Sequence, residues 1–204
     1  MTASAPTRAV WVIVLVKDFD SAKQRLGPAL SPRSRRTLAR RNAERAVRAA
    51  GAADWRLVVA GSEEVVQMAA RLGAQALLEP RQEGQNVAAG RGITRALEGG
   101  AFAVLLLSSD LPLITKKSVR QLLEASARVE TPAVVAVPAT GRGGTNALYL
   151  RPPNAMGLHF GDDSLARFQR EAEAKGVHFI VHHSDAMALD LDEPPDLARL
   201  RRAV

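Results

Sequence analysis

A single α/β domain, with a mainly parallel sheet covered on both faces, is predicted by three observations. Short β-like runs alternate with helical patterns along the 204 residues. Glycines stand where those helices should stop, at Gly51, Gly73, Gly99-Gly100 and Gly176. The most apolar run, Ala-Phe-Ala-Val-Leu-Leu-Leu at 101–107, has the unbroken hydrophobicity of a strand buried on both faces.

Taken in order, strands are expected at 10–16, 56–60, 75–78, 102–107, 133–137, 147–150 and 178–182. Helices are expected at 31–50, 63–72, 86–98, 115–127, 164–175 and 194–202. Ser31-Pro32 reads as an N-cap followed by proline at the first helical position. Ser164 is placed to cap the helix after it, and Asn86 to cap the one at 86–98. Nothing in composition divides the chain, so 1–204 is taken as one domain with 1–8 as a flexible N-terminus.

At 47% hydrophobic residues the chain has enough apolar content for a core. With no cysteine, disulfides, thiolate metal sites and cysteine nucleophiles are excluded. Neither a signal-peptide core nor a membrane-length apolar run occurs, so a cytoplasmic protein is expected, with no membrane partner. The net charge of +7 comes largely from residues 31–50, which carry seven arginines against one acid, Glu44. Six of the seven fall on one half of a helical wheel, opposite Ala39, Ala43, Ala46, Val47 and Ala50. A solvated helix face accounts for them. No aromatic residue interleaves with these arginines, so base stacking has little to work with and no nucleic-acid partner is expected.

In open parallel sheets ligands bind beyond the carboxyl ends of the strands, so the loops there are the place to look for chemistry. Asp110 follows the buried run and Pro112 turns the chain after it; Asp190 and Asp192 lie beside a second apolar stretch. Three carboxylates that converge suit Mg²⁺, which takes oxygen ligands and bridges to substrate phosphates. After the first strand, Lys17, Lys23 and Arg25 offer three cations within nine residues, suited to a triphosphate or serving as plain surface charge. No P-loop or dinucleotide fingerprint is present. Gly141–Thr145 is either an anion-binding concavity with the Thr145 hydroxyl or a hairpin turn. Gly161 and Ser164 open a helix whose free N–H groups form a second candidate anion site. Asn86 is either a cap or a reader of a base edge or ribose. His182 and His183, neighbours on a strand, point to opposite faces and are read as surface residues.

Together these blocks resemble the guanylyltransferases of coenzyme F-420 (deazaflavin) biosynthesis, which join a GMP unit to a small phosphorylated three-carbon acid. The matching residues are Val16-Lys17, Ser21-Ala22-Lys23-x-Arg25-Leu26, Asp110-Leu-Pro-Leu, Gly144-Thr145-Asn146-Ala-Leu, Arg151-Pro-Pro, Phe160-Gly161-x-x-Ser164 and Leu189-Asp190-Leu-Asp192. The resemblance implies a nucleotidyltransferase-like (Rossmann-like) three-layer fold with a mainly parallel mixed sheet. It also implies Mg²⁺ on Asp110, Asp190 and Asp192, and an acceptor, phosphoenolpyruvate or 2-phospho-L-lactate, held by Thr145, Gly161 and Ser164. GTP is the implied donor, and a downstream transferase the implied consumer of the product. Lys17, Lys23 and Arg25 are expected to neutralise the transferring phosphates, with Asn86 among the substrate-binding residues. The chain departs from the family where Ala139 follows Pro138 in place of an acid, and where the glycine-rich stretch thins to Glu83-Gly84-Gln85-Asn86. Two rival readings are a glycosyltransferase using Asp190-x-Asp192 as its metal pair, and an RNA-binding domain built on the arginine helix.

Overall fold

Strands and helices alternate almost without interruption in the computed structural model, which describes residues 8–141 and 143–203. They run β1 (Val10–Val16), α1 (Pro32–Ala49), β2 (Trp55–Ala60), α2 (Glu63–Arg71), β3 (Gln75–Leu78), α3 (Gln85–Glu98) and β4 (Ala103–Ser108). Then follow α4 (Lys116–Ala127), β5 (Ala133–Pro138), β6 (Thr145–Arg151), α5 (Ser164–Lys175), β7 (His178–Val181), α6 (Asp185–Ala188) and α7 (Pro194–Ala203). The N-terminal segment expected to be flexible lies, apart from Arg8, outside the described residues.

The strands form one sheet in the order β3-β2-β1-β4-β6-β5-β7. β6 is antiparallel to both of its neighbours, β4 and β5, while the remaining pairs are parallel. The sheet is therefore mainly parallel and mixed, as expected. Its central strands carry apolar residues on both faces because both faces are covered. Val12, Val14 and Val16 of β1 pack toward α1, α2 and α4 through Ala43, Met68 and Leu122. Trp11 and Ile13, the alternate residues, pack toward α3 and α5 through Ala89, Ile93 and Phe168. Each fully buried leucine or isoleucine of this kind contributes roughly 1.5–3 kcal/mol. Gly92 lets α3 sit down on the sheet, since a Cβ there would come within 2.6 Å of Ile13 Cγ2.

The arginine helix α1 behaves as its pattern predicts. Ser31 caps it, accepting from Ser34 N–H at 3.2 Å, and Ala39, Ala43, Ala46 and Val47 are buried. Arg40 and Arg48 pair with Glu44, while Arg36 reaches Asp20 and Glu64. β7 stops at Val181, one residue before His182, whose N–H still donates to Ala136 at 2.9 Å. His182 is half-buried rather than a surface residue. That burial, with His183 beside it, pushes its pKa below the ordinary histidine value.

Candidate active site

The carboxyl ends of β1, β3 and β4 and the start of β6 open onto one cleft of about 540 Å³. β1 feeds a loop that Phe19 and Leu26 anchor in the interior, so the intervening residues are held over the sheet edge. Within it Lys23 adopts the left-handed conformation at φ 59°, and its side chain turns inward to only 7% exposure. Its ammonium donates to Asp110 Oδ2 at 2.8 Å and to Asp192 Oδ1 at 3.1 Å.

Asp110 stands two residues beyond the last residue of β4 and also accepts from the Ser108 hydroxyl at 2.5 Å. Leu191 N–H donates to the Asp110 carbonyl at 3.2 Å, drawing the 189–192 segment alongside. Leu189 and Leu191 are buried, and the alternate residues Asp190 and Asp192 line the cleft. One oxygen from each of Asp110, Asp190 and Asp192 lies within 4.8 Å of the others. All-oxygen donors at that spacing, with no imidazole or thiolate among them, fit a hard divalent cation. Lys23 supplies the balancing positive charge. Burial acts to lower its pKa, but Asp110 and Asp192 outweigh burial and hold it above the ordinary lysine value. Burial likewise acts to raise the Asp110 pKa, and Lys23 and Ser108 outweigh it, holding the carboxyl below its ordinary value.

The triad is braced from outside. Asn146 on β6 donates its side-chain amide to the carbonyls of Met187 (2.9 Å) and Ala188 (3.1 Å), fixing the approach to Asp190. Buried Asp196 accepts from the N–H groups of Asp192 (3.0 Å) and Glu193 (2.9 Å). No short motif announces these supports. An asparagine on a strand buried along its length, or an aspartate in the first turn of α7, is the sequence signal available for each.

Elsewhere on the cleft wall, Thr145 begins β6 and Ser164 begins α5. The Ser164 hydroxyl donates to Thr145 Oγ1 at 3.0 Å, leaving Thr145 its own proton to donate into the cleft. Both are buried and both line the cleft, as does Gly161 at φ 125°. Ser164 is not the cap that its position predicts. Asp163 holds the N-cap position, without a side-chain cap bond, and the Ser164 hydroxyl is turned to Thr145 instead. β5 and β6 are antiparallel, and Ala139 N–H donates to Gly144 O at 3.0 Å where they are joined; Arg142 lies outside the described residues. Ala139 lines the cleft.

Of the remaining expected residues, Lys17 is exposed on the cleft wall. Arg25 lies at the rim, 73% exposed, 3.7 Å from Glu193. Asn86 neither caps α3 nor lines the cleft. Gly84 holds the cap position, and the Asn86 amide is spent on Phe160, accepting from its N–H (2.8 Å) and donating to its carbonyl (3.1 Å). It ties α3 to the 160–161 loop. Glu79, Gln82 and Gln85 line this wing instead. A polar residue directly after a strand, as Glu79 is after β3, was the overlooked signal.

By fold the chain belongs with the nucleotidyltransferases. A nucleotidyl transferase of solved structure from Methanothermobacter thermautotrophicus is similar with a TM-score of 0.67, at 16% identity, over 96% of this chain and 97% of that one. The particular family is given by sequence: the chain belongs to the family described as guanylyl transferase CofC like, which matches residues 10–201. It is 43% identical over 196 residues to phosphoenolpyruvate guanylyltransferase of Rubrobacter xylanophilus, covering 94% of this chain and 93% of the relative. It is 36% identical over 195 residues to 2-phospho-L-lactate guanylyltransferase of the same Methanothermobacter species, covering 92% and 82%.

Proposed function

We propose that this chain transfers GMP from GTP to phosphoenolpyruvate, or to 2-phospho-L-lactate, with release of pyrophosphate, in coenzyme F-420 biosynthesis. The observation that carries the reading is the convergence of Asp110, Asp190, Asp192 and Lys23 at the strand ends, beside the Thr145–Ser164 hydroxyl pair. Relatives named for phosphoenolpyruvate support that acceptor first. Among the described residues no helix is long and apolar enough to cross a membrane, which agrees with a cytoplasmic location.

In this mechanism an ionised phosphate oxygen of the acceptor attacks the α-phosphorus of GTP. A new P–O bond forms, the bond from Pα to the β-phosphate bridging oxygen breaks, and pyrophosphate leaves with that electron pair. No protein nucleophile is needed, so the chain's work is positioning and charge neutralisation. Thr145 and the 161–164 turn hold the acceptor phosphate. Lys17 and Arg25 meet the polyphosphate from the open side of the cleft, and Lys23 balances the carboxylates. Asp110, Asp190 and Asp192 would hold Mg²⁺, which supplies Lewis-acid stabilisation of phosphoryl oxygens.

The test is a pyrophosphate-release assay with each of the four NTPs, across phosphoenolpyruvate, 2-phospho-L-lactate and 3-phospho-D-glycerate, with Mg²⁺ present. GTP with a three-carbon phosphorylated acid is expected to turn over. Equal turnover with ATP, or none with any of these acceptors, refutes the reading.

A further inference from the structure

We infer that Glu79, held by Arg91 at the outer end of the cleft, is the residue that selects guanine, through the donors N1–H and N2–H on the base edge. The inference rests on the guanylyl-transfer reading and assigns the base-recognition element within it.

The geometry leaves the nucleoside one place to lie. β6 is the immediate neighbour of β4, with Ala147 opposite Leu107, so Thr145 runs alongside the segment that carries Asp110. The acceptor end of the cleft is therefore next to the metal triad. In the other direction the sheet continues through β1 and β2 to β3, three strand spacings from β4, or about 14 Å. That distance accommodates a nucleoside between its α-phosphate and a side chain hydrogen-bonded to the far edge of its base. The strand ends along this path are linked: Gly61 N–H donates to Val16 O and Glu79 N–H to Ala60 O, each at 2.9 Å. A Cβ on Gly61 would meet Asp18 N at 2.6 Å, so the first two loops close up here.

At the end of this path stands a carboxylate. The Glu79 side chain is 6% exposed and lines the cleft. Arg91 Nη1 donates to its Oε1 at 2.8 Å, and Arg91 is held in turn by Glu83 and by the Arg81 carbonyl. Among the described residues, Oε2 receives no hydrogen bond, so the second oxygen is available to a ligand in the cleft. Guanine presents two adjacent donors, N1–H and N2–H, and both can reach one carboxylate oxygen. Adenine presents an unprotonated N1 there, whose lone pair would face the same negative charge. Gln82 and Gln85, with side-chain N–H groups on the same wall, can meet the guanine O6. A buried acceptor left without its donor is costly, which is how such a site rejects an analogue that lacks the matching group.

The experiment compares GTP, inosine triphosphate and ATP by calorimetry on the full chain with Mg²⁺ and no acceptor. Inosine triphosphate lacks only the N2 amino group. Wild type is expected to bind GTP about 10- to 100-fold more tightly than inosine triphosphate, the worth of one hydrogen bond to a charged group. Glu79→Gln should lower that ratio to within about threefold, weakening GTP more than inosine triphosphate because inosine keeps N1–H but lacks the N2 donor, a pattern that loss of a structural support would not give. Glu79→Asp keeps the charge beside Arg91 but withdraws the oxygen by one methylene, and should also lose discrimination. Equal wild-type affinities for GTP and inosine triphosphate overturn the assignment whether or not the variants fold. So does a folded Glu79→Gln that keeps the wild-type ratio. A GTP preference that Glu79→Gln abolishes supports the assignment even if no acceptor turns over, an outcome that would count against the proposed reaction alone.

Discussion

Replacing Asp110 with asparagine separates a metal-ligand role from a structural one, and the structure fixes both expected changes. The carboxylate is one of three converging on a single point, and asparagine keeps its shape while removing the charge. Loss of one metal ligand should lower kcat at least about 100-fold, roughly 3 kcal/mol of transition-state stabilisation. From sequence alone the metal-free protein should hold or gain stability, because a cluster of repelling carboxylates loses one member. The structure reverses that sign. Lys23 lies between Asp110 and Asp192, 7% exposed, so the variant strands a buried ammonium on one remaining partner at 3.1 Å. Breaking a buried pair by removing one partner costs about 3–5 kcal/mol, and the surviving Asp192 contact brings the expected loss to about 2–3 kcal/mol. For a chain of this size that is a Tm lower by roughly 5–10 °C. Thermal melts in chelator, paired with kcat from pyrophosphate release, measure both. A variant that melts like wild type and turns over within a few-fold of it would refute the site; one that melts low yet turns over normally would make Asp110 structural.

Lys23→Met should destabilise the metal-free protein and make its Tm more dependent on millimolar Mg²⁺ than that of wild type, because the carboxylates then lack their internal cation; an unchanged Mg²⁺ response of Tm contradicts this. Thr145→Ala should weaken phosphoenolpyruvate binding by about 1–2 kcal/mol while GTP affinity stays within about twofold, whereas Thr145→Ser retains both; calorimetry showing GTP weakened instead would reverse the two ends of the cleft. Glu171 should shape the acid limb of stability. Burial acts to raise its pKa, but Lys175, the Gly157 N–H and His159 outweigh burial and lower it from 4.5 to about 2. A depressed folded-state pKa means its contribution is full above about pH 4.5 and lost as pH falls toward 2. Glu171→Gln should therefore reduce Tm near neutrality and flatten its fall between those pH values; parallel Tm curves for variant and wild type would count against the assignment.

Most of the fold was legible because its signals are local. Strand and helix periodicities place the elements to within a residue or two, and the cap at Ser31 has the geometry its Ser-Pro pair predicts. What sequence could not give was which of two satisfied states a polar side chain takes. Ser164 and Asn86 are both good caps by position, and neither is one. Thr145, nineteen residues upstream, captures the Ser164 hydroxyl, and Phe160, seventy-four residues downstream, captures the Asn86 amide. Each partner is set by how the sheet brings distant segments together, and a local reading sees only the nearer backbone N–H. For the same reason the triad was foreseeable as three carboxylates near strand ends, while its internal cation was not singled out from Lys17 and Arg25.

Lys23 shows why that distinction matters for chemistry. A non-glycine residue at φ 59° carries roughly 1–2 kcal/mol of backbone strain. The strain persists because the conformation turns the side chain inward, where two charge-assisted hydrogen bonds offset its cost. Lys17 and Arg25, on the same loop, stay on the exposed surface of the cleft. Three cations that look alike in sequence thus differ in place, one buried within a dense carboxylate cluster and two on the open side of the cleft. A chain that must hold three carboxylates within 4.8 Å in the absence of metal needs such an internal counter-charge, and here a strained backbone supplies it.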